Sequence, residues 1–250
     1  MSPIHLLRRG VSRRVELTPM TSIEQLRAGR FSRRFVQLIV GLWLYGVSMA
    51  MFIRSGLGLD PWDVFHYGVQ THWAVSFGTV VIVTSFAVLL LWIPLRQWPG
   101  LGTILNSILI GIATDVTLGL FDAPSSLVWR WVLLLGGILA NGLAGALYIG
   151  SQFGPGPRDG LMTGLAHRTG WSLRLVRTSI EVTVLAIGWL LGGVVGVGTV
   201  LYALLIGPIV QFFLPIFTVR VNPPSRASAD PEPNEAPGPG THEVNSYEGH

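Results

Sequence analysis

No cysteine occurs anywhere in the 250 residues, which excludes disulfides, Cys-ligated zinc and thiol chemistry together. Lysine is also absent: all 17 basic residues are Arg, a bias that says little about mechanism. Charge of either sign is scarce at 12% of residues, against 50% apolar residues and a mean hydropathy of +0.53. That balance lies outside ordinary water-soluble domains and is natural for a protein whose solvent is lipid. Zincin His pairs, a phosphate-binding Gly-Lys loop and a Gly-x-Ser-x-Gly elbow are all missing. No catalytic residue, metal or cofactor is therefore expected. The net charge of +4 would suggest nucleic acid as a partner of a soluble protein. Here the Arg residues gather at the ends of apolar runs, so they read as topology signals and no nucleic-acid partner is expected.

What the chain has in quantity is long apolar runs. Covering about 30 Å of hydrocarbon takes roughly 20 residues. Stretches near 35–54, 76–95, 101–120, 131–150, 173–193 and 198–219 meet that length, which predicts an all-α protein with six transmembrane helices. A polar segment at 1–33 precedes them, rich in Arg and without an apolar core or cleavage site, so no removable signal peptide is expected. A Pro-, Ser-, Glu- and Gly-rich tail at 220–250 follows, too poor in large apolar residues to build a core. With the N-terminus in the cytoplasm, Arg96, Arg158, Arg168 and Arg220 fall on the inner side and Asp60, Asp63 and Asp122 on the outer. This is the positive-inside pattern and places both termini inside.

The chain also repeats itself. A shift of 96 positions carries Gly58, Pro61, Asp63 and Gly68 onto Gly154, Pro157, Asp159 and Gly164. The same shift pairs Arg34 with Arg130, Gly41 with Gly137, Gly46 with Gly142, and the run 100–105 with 196–201. Matched glycines imply matched backbone geometry, so 34–120 and 130–219 read as two copies of one unit. A unit with three crossings must begin its second copy on the opposite face, which makes the halves inverted. Inverted repeats of this kind are associated with transporters, with the site where the copies meet.

Between the first and second helix of each copy lies a broken segment followed by a short helix. Asp60 suits an N-cap, Pro61 a first helical position and Asp63 a first-turn acid; Gly156, Pro157 and Asp159 repeat the arrangement. If these short helices enter the bilayer as re-entrant segments, their N-termini offer free amides to an anionic group; alternatively the aspartates only cap their own helices. In the fifth run Arg174, Arg177 and Glu181 lie on one helical face, either as a functional cluster or with Arg177–Glu181 as a structural ion pair. The candidate solute-binding residues are thus Asp60, Asp63, Arg158, Asp159, Arg174, Arg177 and Glu181. Asn106, Asn141 and Gln211 are expected to bond between helices, Asp115 to line an outer vestibule, and His66 and His72 to sit at the interface.

The Gly-Leu-Gly-Leu-Asp-Pro-Trp-Asp segment at 56–63, Gly-Pro-Gly-Pro-Arg-Asp-Gly at 154–160, Val176-Arg177 with Glu181, and the Gly196-to-Pro208 end resemble the bacterial YczE-like integral membrane proteins, which are similar to the YitT group. The resemblance covers about 35–219. It implies a multi-pass protein of the bacterial cytoplasmic membrane and says little about chemistry. The combined expectation is a carrier of a small solute in the lipid bilayer, as a single chain or a homo-oligomer, with a membrane scaffold or a passive channel as alternatives.

Overall fold

In the computed structural model, residues 20–221 are described; the first 19 residues and the Pro-rich tail from 222 lie outside that range, with the expectations attached to them. Among the described residues every regular element is a helix: α1 (Ser22–Arg27), α2 (Phe31–Ser55), α3 (Pro61–Gln70), α4 (Phe77–Leu90), α5 (Trp92–Leu95), α6 (Leu101–Leu118), α7 (Leu127–Gly150), α8 (Pro157–Thr169), α9 (Leu173–Leu190) and α10 (Val197–Phe217). Five stretches are long and apolar enough to cross a membrane: α2, α4 with α5, α6, α7 and α10. The sixth expected span, α9, is 18 residues long but carries Arg174, Arg177 and Glu181, too many charges to be counted with the others on composition.

Local chemistry sets the helix starts. Thr21 and Glu24 form a reciprocal capping box at α1. Ser76 and Ser172 accept N–H groups at the first turns of α4 and α9. At α6 and α10 the cap is Gly, and a threonine of the first turn reaches back: the Gly100 and Gly196 N–H groups donate to Thr103 and Thr199 Oγ1 at 3.1 and 3.2 Å.

The core is built on α2 and α7, which run antiparallel, with α6 packed on α2 and α10 on α7. The ends of the central pair are tied by two arginines. Arg34, fully buried near the start of α2, donates to the carbonyls of Ser151 and Gln152 beyond the end of α7, both at 2.8 Å. Arg130, at the start of α7, donates to the carbonyls of Ser55 and Gly56 at the end of α2, at 2.6 and 3.1 Å. Residues 34 and 130, 55 and 151, and 56 and 152 are each 96 apart. The broken segments obey the same rule. Gly198 N–H donates to Leu57 O and Gly102 N–H to Phe153 O, each at 2.8 Å. The next residues, Gly58 and Gly154, hold φ of +124° and +107°, a backbone region essentially reserved for glycine.

The short helices cross over between the halves. α3 packs on α9, where Gly188 meets the backbone of Val64 and Phe65; α8 packs on α4 and α5, where the Trp92 indole donates to Pro157 O at 3.1 Å against Gly160. Equivalence under the shift ends at the outer helices. α4 lies along α6, whereas α9 lies against α3 and α8 rather than along α10, and α9 buries only Val176 and Gly188.

Asp115, expected to line an outer vestibule, caps a neighbouring helix. Its Oδ1 accepts Gly78 N–H at 2.7 Å and its Oδ2 accepts the Ser76 hydroxyl, fastening the start of α4 to the end of α6. Asp115→Ala is expected to cost about 1–2 kcal/mol, as the loss of a helix cap does. The measurement is the midpoint of thermal aggregation in detergent, which should fall for Ala and fall less for Asn; an unchanged midpoint would remove Asp115 from the framework.

Candidate functional site

Between the first turns of α3 and α8 lies a polar cavity of about 80 Å³, room for a solute of a few heavy atoms. Five of the seven candidate residues line it: Asp60 from the start of α3, Arg158 and Asp159 from the first turn of α8, and Arg177 and Glu181 from α9. Two do not. Arg174 is exposed on α9, a turn away from the cavity, because the helix buries so little of its circumference. Asp63 is fully buried behind α3 and turns its Oδ1 to His66 Nδ1 at 3.3 Å. His66 is consequently an interior residue at 2% exposure, packed edge-on to Phe77, and not the interfacial histidine expected from its place in a loop-like segment.

The two helix starts have the same backbone and different chemistry. Asp60 and Gly156 hold nearly identical conformations, φ/ψ of −66°/162° and −64°/162°, and each is followed by proline. In α3 the Asp60 carboxylate fills the free first-turn donors, its Oδ1 accepting Trp62 N–H at 2.9 Å and Asp63 N–H at 3.0 Å. In α8 the capping position is Gly156 and supplies no side chain, so the corresponding donors, Arg158 N–H and Asp159 N–H, have no partner among the described residues.

Each acid on the cavity wall is engaged. Asp60 holds the α3 turn and sits 3.9 Å from Arg158 Nη1. The Asp159 Oδ2 accepts the Tyr148 hydroxyl. Glu181 Oε1 accepts from Arg177 Nε at 2.8 Å, so both open readings of that pair meet: it is an ion pair, and it faces the cavity. Arg158 is the least committed charge. Its guanidinium stacks 5.3 Å above the ring of Trp62, the residue at its own position in the other half. Trp62 is 6% exposed, and its indole Nε1–H has no partner although buried. Asp60 Oδ2 is likewise buried and unpartnered. Buried donors and acceptors without partners are costly, which marks this wall as chemically incomplete.

Sequence reasoning missed the aromatic and amide part of the wall. Tyr45, Tyr148 and Tyr202 line the cavity with Asn106. Asn141 bridges helices as expected, donating to Ser48 Oγ at 2.8 Å and accepting the Tyr202 hydroxyl at 3.2 Å. Asn106 makes no such bond, and Gln211 is exposed. The signal was present in the repeat: the shift of 96 aligns Tyr45 with Asn141 and Asn106 with Tyr202, so polar groups recur at two apolar-helix positions with their identities exchanged.

A model described as a family of unknown function, DUF6198, matches residues 32–215. An uncharacterized protein of Haemophilus influenzae is 43% identical over 181 residues, 72% of this chain and 82% of that protein. The uncharacterized membrane protein YczE of Bacillus subtilis is 34% identical over 187 residues, 74% of this chain and 86% of that protein. A third protein, YyaS of Bacillus subtilis, described as uncharacterized, is 24% identical over 181 residues. No solved structure matches the chain.

Proposed function

The chain belongs to the DUF6198 family, and from the geometry of its cavity we propose that it is a secondary transporter that moves a small solute across the bacterial cytoplasmic membrane by alternating access. The observation that carries the reading is the cavity itself: charged and polar groups from α2, α3, α6, α7, α8, α9 and α10 converge on one space between helices that are otherwise apolar. Ionisable groups inside such a bundle are expensive and mark a solute pathway. In this reading α9 is a sixth crossing, both termini are cytoplasmic, and its charges are tolerated because Arg177 and Glu181 pair beside the cavity.

Two inverted copies of one three-crossing unit underlie the mechanism. The reading is supported by the antiparallel α2 and α7, by the reciprocal arginine clamps, and by the reciprocal bonds from Leu57 and Phe153. Alternating access is supported by the one place where the copies differ. The pair α4–α6 is closed and the matching pair α9–α10 is parted, so exchanging the two arrangements would open the cavity to the other face.

The absence of native cysteine makes the test direct, since each introduced thiol reacts alone. Single cysteines at Trp73 and Thr169, matched and exposed positions, are expected to react with an impermeant maleimide from opposite faces of the membrane: the first from outside, the second from inside. Reaction of both from one face would overturn the inverted arrangement. A single cysteine at Asn106, on the cavity wall, is expected to be reached from each face in proteoliposomes. Reaction from neither face would make the bundle a sealed scaffold, and steady unitary currents in a planar bilayer would make it a pore.

A further inference from the structure

We propose that the first turn of α8, with Arg158, is a binding site for a small carboxylate, the solute's own anionic group. The inference rests on the carrier reading and names the chemistry of what is carried. The structure contains its own template for the bound state. In α3 a carboxylate oxygen, Asp60 Oδ1, already occupies the position between the second and third N–H groups of a Pro-initiated turn. The backbone of α8 repeats that turn within a few degrees, Gly156 supplies no side-chain oxygen to the turn's free N–H groups, and the cavity opens onto it.

An N-terminal turn alone would not identify a ligand, and three further groups point the same way. The Trp62 Nε1–H is a buried donor with no partner on the same cavity wall. The Asn106 amide also lines the cavity without a hydrogen bond, and its Nδ2 and the Asp159 Oδ2 each lie 3.3 Å from where a Cβ on Gly156 would stand. Arg158 brings a guanidinium whose fork matches a carboxylate in two-point geometry and whose only ion-pair contact among the described residues is the 3.9 Å approach to Asp60. Of the acids nearby, Asp159 Oδ2 accepts the Tyr148 hydroxyl, Glu181 Oε1 pairs with Arg177 and Asp60 Oδ1 holds the α3 turn, while Asp60 Oδ2 has no partner among the described residues. The donors left over are those a carboxylate accepts, and a cavity of about 80 Å³ limits the solute to a few heavy atoms.

The same template supplies the test. Gly156→Asp places a tethered carboxylate where Asp60 places one in α3, its Cβ 3.3 Å from Asp159 Oδ2. The purified full chain in detergent is titrated with sodium acetate at fixed pH and ionic strength, sodium chloride making up the balance, and its thermal midpoint is followed. Wild type is expected to show a saturable rise, because a ligand that binds only the folded state stabilises it. Gly156→Asp and Arg158→Gln, checked for monodispersity, are expected to lose roughly tenfold or more in apparent affinity, the effect of removing one or two charge-assisted bonds. If Gly156→Asp does not fold, Arg158→Gln carries the comparison. No acetate-specific rise in wild type, an equal rise with chloride, or an undiminished rise in either folded variant would overturn the proposal. A chain that binds acetate but fails the Asn106→Cys accessibility test keeps this site and loses the carrier; one that passes that test and ignores acetate keeps the carrier and loses the site.

Discussion

Arg34→Ala is expected to be among the most damaging single substitutions in the chain, lowering stability by about 3 kcal/mol or more. The guanidinium is fully buried and makes bonds to four carbonyls: Ser151 and Gln152 at 2.8 Å, Gln25 at 2.7 Å and, more weakly, Gly29 at 3.4 Å. It also lies 4.2 Å over the Phe153 ring. Truncation removes the donor to the buried Ser151 and Gln152 carbonyls and opens a void beside Phe153. A lysine at 34 is expected to recover only part of the loss, because one ammonium cannot reproduce a planar fork aimed at two adjacent carbonyls. The matched residue provides the control. Arg130 bonds the equivalent carbonyls of Ser55 and Gly56 but is only half-buried, so water can replace it, and Arg130→Ala is expected to cost about 1 kcal/mol. Thermal midpoints of the three variants in one detergent decide the matter. Equal losses at 34 and 130 would show that the reciprocal clamps, and not the burial of one of them, set the cost.

The second large effect is expected at Gly188, where α9 meets α3. A Cβ there would lie 2.4 Å from Phe65 N, 2.5 Å from Phe65 Cα and 2.6 Å from Val64 C. These are backbone atoms, so no rotamer change relieves the contact, and the helices must separate. α9 has little else to hold it, since Val176 and Gly188 are its only buried residues. Gly188→Leu is therefore expected to cost about 3 kcal/mol or more and to release α9 from α3, taking Arg177 and Glu181 away from the cavity. The check is the thermal midpoint together with labelling of a single cysteine at Thr178. Gly207→Ala, at a position with nothing within 4 Å of the new Cβ, is expected to leave both unchanged. A stable Gly188→Leu protein with unaltered labelling would mean that α3 and α9 pack less closely than described.

Arg34 and Gly188 also show where reading the sequence stops. Arg34 was visible as a repeat position and as a basic residue at the edge of an apolar run, and both observations were sound. Its role as an interior clamp was not, because its partners are backbone carbonyls 117 and 118 residues away that no side-chain pattern reports. Gly188 carries no sequence signal at all: its match in the first half is Trp92, a large residue that docks the other short helix. Matching by a fixed shift finds positions where both copies need the same side chain and passes over those where one contact is made with a glycine and the other with an indole.

The candidate residues divide along the same line. Asp60, Arg158, Asp159, Arg177 and Glu181 reach one cavity although they come from three separate helices, and Asp63 and Arg174 do not. The periodicity that put Arg174, Arg177 and Glu181 on one face of α9 was correct, but one face of a helix extends beyond a small cavity, and Arg174 lies past its end. His66 was misplaced because ten residues between two long apolar runs read as a surface loop; α9 covers the helix they form.

The order of the long helices, the short helix after the first long one in each half, and the correspondence between residues 96 apart follow from the sequence by itself, because capping, proline placement, glycine conformation and the length of an apolar run are local properties. The enclosure of the cavity, the burial of Arg34 and the convergence of the Asp60 and Gly156 turns on one space were decided only by the tertiary structure. They depend on which helix of one half crosses onto the other, and that choice is made by close packing between segments far apart in the chain, a property no local pattern contains.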